Sequence, residues 1–192
     1  MRLLIRVFCL LFAIFIYINT GVCQVNNIKD LSFKAGTVEN YDNGNFKSGK
    51  LANNSKVENF ICKNILILHS NGRIQQCKLA EDVEFNEIKF PKNTIIFFKE
   101  DGKLDYCWLG KSVKIQGYPC KGGQKTQTSF HPNGKIQCLF LSEAFKIQDI
   151  YCKASIVDPV CFFPDGKIKE CTSEIDQTIN GRFVKAGSKL LF

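Results

Sequence analysis

The stretch Ile95-Ile96-Phe97-Phe98-Lys99-Glu100-Asp101-Gly102-Lys103-Leu104-Asp105-Tyr106-Cys107-Trp108-Leu109 decides the architecture of this chain. Its two halves are rich in β-branched and aromatic residues, which favour strands, and Asp101-Gly102 separates them. Asp-Gly and Asn-Gly are strong hairpin signals because they accept the positive φ of a tight reversal. The same reversal recurs at Asp42-Asn43-Gly44, Ser70-Asn71-Gly72, Pro132-Asn133-Gly134 and Pro164-Asp165-Gly166. Apolar runs such as Ile65-Leu66-Ile67-Leu68 and Val160-Cys161-Phe162-Phe163 precede it. Five residues beyond each turn glycine stand Gly49, Cys77, Cys107, Leu139 and Cys171. Two residues further stand Leu51, Leu79, Leu109, Leu141 and Ser173. Residues two apart share a strand face, so this face is expected to point inward.

Working outward, a second phrase punctuates the chain. It reads Phe33-Lys34-Ala35-Gly36, Cys62-Lys63-Asn64, Phe90-Pro91-Lys92-Asn93, Cys120-Lys121-Gly122-Gly123, Cys152-Lys153-Ala154-Ser155 and Phe183-Val184-Lys185-Ala186-Gly187. The phrases define a β-repeat domain over residues 33–192. It has five units of about 30 residues starting near 33, 62, 90, 120 and 152, and a half unit from 183. A short extended piece closes each unit, as in Val113 to Tyr118 and Gln177 to Arg182. That makes three extended segments per unit and no amphipathic helix. Units this small cannot bury a face alone and must stack. The fold class is all-β, with tandem repeats forming an elongated antiparallel hairpin array. A β-solenoid is the alternative, because an odd number of strands per unit would reverse successive units.

Tyr41-Asp42-Asn43-Gly44-Asn45-Phe46-Lys47-Ser48-Gly49 resembles the MORN-type repeat, in the variant found in bacterial antitoxin-like repeat proteins. The resemblance spans residues 33–192. The units here are longer than an ordinary MORN unit, and Cys replaces Gly at Cys77, Cys107 and Cys171. The resemblance implies an elongated β-sheet used for contact, with no catalytic residues to carry over. It also implies a toxin-sequestering, immunity-type role as one alternative function.

Ahead of the repeats, residues 1–23 have the order of a secretory signal peptide: basic Arg2 and Arg6, an apolar run from Val7 to Ile18, then small and polar residues. Cleavage is expected after Cys23, with Gly21 and Cys23 as the small residues at −3 and −1. A lipid anchor on Cys23 and an uncut N-terminal anchor are the alternatives. Residues 24–32 form a linker. The protein is therefore expected to be exported: secreted, periplasmic or at the cell surface. Membrane contact is expected only through the N-terminal segment or a lipid.

Export changes how the cysteines read. Eight lie beyond the signal: Cys62, Cys77, Cys107, Cys120, Cys138, Cys152, Cys161 and Cys171. An even count in an exported chain points to disulfides. Nearest-neighbour pairing gives Cys62–Cys77, Cys107–Cys120, Cys138–Cys152 and Cys161–Cys171. The rival scheme pairs stacked columns, such as Cys77–Cys107 and Cys120–Cys152. No Cys-x-x-Cys knuckle occurs, and His69 and His131 are the only histidines, so no metal set is expected. Both histidines precede a turn glycine by three residues, a place held elsewhere by Tyr41, Lys99 and Phe163. That variety reads as a turn-flanking surface site rather than a catalytic one.

GxGxxG, Walker A, HExxH and GxSxG are all missing, so no catalytic residue and no cofactor is expected. Lys121-Gly122-Gly123 sits at the repeat's own turn and lacks a following helix, so it is not a phosphate cradle. Asn53-Asn54-Ser55 is a glycosylation sequon, relevant only in a eukaryotic secretory route. The net charge of +8 is carried in part by the recurring Lys34, Lys63, Lys92, Lys121, Lys153 and Lys185. Regular stacking would set these along one basic edge, able either to block strand pairing or to meet an anionic surface. The expected function is that of an exported non-enzymatic β-repeat protein, with a binding or structural role at or beyond the cell surface. Its partner would be a protein or an anionic surface ligand. Nucleic acid is not expected, and the protein should be a monomer. A small secreted thiol-dependent enzyme or hydrolase is the other alternative. Mass spectrometry of the exported protein should find Gln24 as its first residue. A lipid on Cys23 or a retained Met1 would establish one of the other two N-terminal arrangements.

Overall fold

The computed structural model describes residues 28–192. The expected signal segment, Cys23 and residues 24–27 of the expected linker lie outside the described residues. A 3-10 turn at Ile28–Asp30 is the only helical element among them. Eleven strands lie side by side in one antiparallel sheet: Glu39–Asn40, Phe46–Lys50, Phe60–Leu68, Ile74–Leu79, Ile95–Phe98, Leu104–Trp108, Gln127–Phe130, Ile136–Leu139, Val160–Phe162, Ile168–Thr172 and Lys189–Leu191. A twelfth, Ser55–Val57, pairs with the start of Phe60–Leu68. Neighbours in the sheet follow chain order without crossovers, so the hairpin array holds and the solenoid does not.

The five large turns share one construction. Gly44, Gly72, Gly102, Gly134 and Gly166 take φ between 80° and 93°, which glycine adopts without steric cost. The residue before each is Asn or Asp, and its side chain accepts the backbone N–H two positions on. Asn43, Asn71, Asp101, Asn133 and Asp165 bond Asn45, Arg73, Lys103, Lys135 and Lys167 at 2.9–3.1 Å. Only the glycine of each pair needs positive φ. The turn is thus an ordinary reversal ending in a glycine bulge rather than a two-residue primed turn.

Each of the later units contains four strands, not the three expected from sequence. The closing pieces are small hairpins of their own: Val83–Phe85 with Ile88–Phe90, Val113–Ile115 with Tyr118–Cys120, Phe145–Ile147 with Ile150–Cys152, and Gln177–Ile179 with Arg182–Val184. Their two-residue turns are Asn86-Glu87, Gln116-Gly117, Gln148-Asp149 and Asn180-Gly181, all with positive φ at both residues. An even count per unit restores the same strand direction at each repeat. The count was hidden because Asn-Glu and Gln-Asp are poor turn pairs by local preference, and the packed hairpin imposes their backbone.

These small hairpins close the inner face of the sheet. Phe85 packs on Phe60 and Phe98, with ring centroids 5.5 and 5.7 Å away, and Tyr118 lies 4.9 Å from Phe162. Across the sheet runs a buried inner row: Gly49, Leu66, Cys77, Ile96, Cys107, Thr128, Leu139, Val160 and Cys171. Leu51, Leu79, Leu109, Leu141 and Ser173 are buried beside it, so the expected inward column is confirmed. Gly49 departs from the column's bulkier residues for a steric reason. A Cβ there would lie 2.7 Å from the ring of Phe33, which fills the space that a larger side chain would need.

Asp101 and Asp165 are held below the usual carboxylate value, chiefly by the backbone N–H groups of Lys103 and Lys167. A folded-state value below 3.8 means that their stabilisation is complete above 3.8 and lost as pH falls further. The double variant Asp101→Asn, Asp165→Asn should keep these turns, as Asn does in the other three. Its Tm at neutral pH should stay within about 2 °C of the parent. Below pH 3.8 it should lose less stability than the parent, as read by thermal unfolding across pH.

Candidate functional site: the outer face of the sheet

Strand alternation sends every second side chain to the face that no small hairpin covers. Register places Ser48, Ile67, Gln76, Phe97, Tyr106, Ser129, Cys138, Cys161, Glu170 and Leu191 in one row across this outer face. A second row runs Lys63, Lys78, Ile95, Trp108, Gln127. At their centre Phe97 stacks on Tyr106 at 4.1 Å between centroids, and Trp108 meets Phe97 edge-on at 4.9 Å. All three rings remain half-exposed. Partial burial, then the Asp105 carboxylate, raises the Tyr106 phenol above its ordinary value, so it stays a neutral hydroxyl. Spacing alone could not separate these aromatics from core ones. The large turns introduce bulges, and a bulge changes which face a residue takes.

Lys63 and Lys78 stand directly opposite each other at the margin of this aromatic group. Like charges in that relation destabilise a sheet. Lys50 projects beside Ile65 on the same face. Among the described residues, none of these three lysines pairs with a carboxylate, and Lys63 rests on the Asn93 amide oxygen. A bulge at Asn64, with φ of 59°, lets Lys63 and Ile65 both face outward while Cys62 and Leu66 face in.

The lysines of the expected basic edge fall at the following places. The phrases lie along the rim opposite the large turns, in loops except for Cys62-Lys63-Asn64, which stays within the strand Phe60–Leu68. Lys34, Lys63, Lys121, Lys153 and Lys185 each follow the residue that packs or pairs inward. Lys92 lies one place later, because Pro91 holds the equivalent position. Its N–H bonds Asp82, as Gly122 N–H bonds Ser112 and Ala186 N–H bonds Asp176. The last phrase begins at Val184 rather than Phe183. Val184 pairs with Gln177 as Cys152 pairs with Phe145, and Phe183 points out at 65% exposure.

The histidines turn out to be stitches between units rather than surface fillers. His69 and His131 are half-buried, and each donates Nε2–H to the next hairpin, at Phe98 O and Phe162 O, 2.9 Å in both cases. The Tyr41 hydroxyl donates to Leu68 O at 2.8 Å from the same place in the first unit. Lys99 pairs instead with Asp105, and Phe163 lies exposed. Gln116 and Gln148 add a second set, each amide bridging the glycine and isoleucine of the following large turn.

The cysteines do not pair as either sequence scheme proposed. Cys138 and Cys161 face each other on adjacent strands of the outer face and form a disulfide. This overturns Cys138–Cys152 and Cys161–Cys171, whose members lie on opposite faces of the sheet. Cys62, Cys107, Cys120, Cys152 and Cys171 are buried thiols, and Cys77 is buried in the same inner layer. The Cys107–Cys120, Cys62–Cys77, Cys77–Cys107 and Cys120–Cys152 bonds are therefore not formed. Cys107 is raised far above its ordinary value by burial and then by Cys120, and Cys120 is pushed up to about 11 by burial. Such thiols stay protonated at neutral pH and are poor nucleophiles. Among the described residues, no group of three or more His, Cys, Asp and Glu is placed to hold a metal ion.

Compared with protein-family models, with curated proteins and with solved structures, the chain matches none.

Native-state alkylation should leave Cys107 and Cys120 unmodified at pH 8, while denaturant exposes both. Rapid labelling of either in the folded protein, read by mass spectrometry, would refute their burial.

Proposed function

We infer that this is an exported, non-enzymatic β-repeat protein that binds an anionic glycan at or beyond the cell surface, across the outer face of its sheet. One observation carries the reading. An aromatic cluster, Phe97, Tyr106 and Trp108, stays half-exposed next to Lys63 and Lys78, whose like charges face each other without an acidic partner. Aromatic rings offer large apolar area with a polar edge, and Tyr and Trp concentrate where binding energy is greatest. A lysine pair that costs stability in the free protein is relieved by a negative ligand. Gln76, Gln127 and Ser129 border the rings and supply amide and hydroxyl groups for sugar hydroxyls. From Lys63 to Gln127 the row crosses five strands, roughly 20 Å, which suits an extended chain rather than a small molecule. The thiol-enzyme alternative gains nothing from Cys107 and Cys120, which are buried and held protonated.

Trp108 is the only Trp in the sequence, so its emission reports on this face alone. Titration with heparin or polygalacturonate should change that emission saturably, and neutral dextran should not. The response should fade at 1 M salt, where screening acts within about 3 Å. The variant Lys63→Gln, Lys78→Gln should weaken binding roughly tenfold, about 1.4 kcal/mol. Equal response to dextran, or no response to either acidic polymer, would end this reading.

A further inference from the structure

We propose that Cys152 and Cys171 are a second disulfide site, closed by oxidation of the exported chain, which covalently fastens the Phe145–Cys152 hairpin to the inner face of the sheet. The geometry comes first. Cys152 lies opposite Ser173 in an isolated bridge, and Cys171 sits two residues before Ser173 on the same buried face. Both are essentially inaccessible, at 0% and 1% exposure. Their thiols touch, and hydrogen bonding to Cys171, together with burial, keeps the proton on Cys152. The equivalent places in the first unit are Phe33, bridged to Leu51, and Gly49. There the Phe33 ring occupies the space where a Gly49 Cβ would stand. In the first unit these two positions meet through the length of the Phe33 ring, and in the fifth the Cys152 and Cys171 side chains meet each other directly.

The second observation is chemical. Cys138–Cys161 is already a disulfide within the same part of the chain, so the compartment that forms it is oxidising. A contacting thiol pair made by the same chain in that compartment meets the same oxidant. The step is exchange with a disulfide donor RS–SR, of the glutathione or disulfide-transfer-protein class. One Cys thiolate attacks a donor sulfur and releases RS⁻. The second Cys then displaces the remaining RS⁻ to leave Cys152–S–S–Cys171 and two RSH. Because the finished site is closed to reagents, the exchange precedes final docking of the hairpin. The two bonds interleave in sequence, with Cys152 inside one loop and Cys161 inside the other. One clamps the outer face and one the inner, which locks the last full unit on both sides.

The test is a disulfide map of the full exported protein, alkylated in denaturant without reductant and digested with trypsin. Lys146, Lys153, Lys167 and Lys169 separate the four cysteines into distinct peptides. The expected result joins the Cys152 and Cys171 peptides, lighter by their two thiol hydrogens, beside a joined Cys138 and Cys161 pair. In Cys171→Ser, Cys152 should become fully alkylated while Cys138–Cys161 persists. Recovery of Cys152 and Cys171 as alkylated thiols, or either joined to a different cysteine, overturns the proposal. Glycan binding plays no part in the readout, so this result stands or falls apart from the ligand assignment.

Discussion

Everything in the described residues follows from how strands and short hairpins, without an α-helix among them, keep one sheet face dry. An antiparallel sheet stabilises itself only if at least one face is buried, and among the described residues no helical layer is present to bury it, only two-stranded hairpins. The later units solve this locally by carrying a two-stranded hairpin that folds beneath the strands just made. Phe60, Phe85 and Phe98 mark one such contact, and Tyr118 with Phe162 another. Cover and sheet thus grow together, which is why the array can extend one unit at a time.

The same arrangement gives the two faces opposite characters. Inside, small and apolar residues meet at close range, and Cys serves as a compact hydrophobe between Leu and Ile. Outside, none of the small hairpins lies over the strands, and side chains there are free to serve contact. The His, Tyr and Gln bonds along the turn rim tie each hairpin to the next. They fix the spacing of outer-face groups that come from different units. Phe97 and Tyr106 belong to one hairpin, yet Lys63 and Lys78 belong to the one before, so the candidate site exists only across a unit boundary.

Much of this was legible in residues alone. Asn-Gly and Asp-Gly announced the five large turns because both requirements are local: positive φ at the glycine and a side-chain acceptor just before it. The inward column was legible because alternation is a property of any strand, and Cys77 and Leu79 must share a face wherever the strand goes. The strand count per unit was misjudged at Asn86-Glu87 and Gln148-Asp149, whose positive φ values contradict local preference and are enforced by packing. The site itself was not legible, since Trp108 and Phe98 look alike in sequence and differ only in which way their strand turns them.

The amino-acid sequence by itself determined the repeat, its length, its reversals and the identity of its buried column, because each depends on interactions within a few residues. The tertiary structure alone decided which cysteines meet, which aromatics stay outside and which lysines stand together. Those outcomes depend on strand neighbours separated by about a unit of chain, and on bulges that move side chains between faces. Cys138 found Cys161 rather than Cys152 because adjacent strands place the first two on one face, while Cys152 lies on the inner side with the small hairpin.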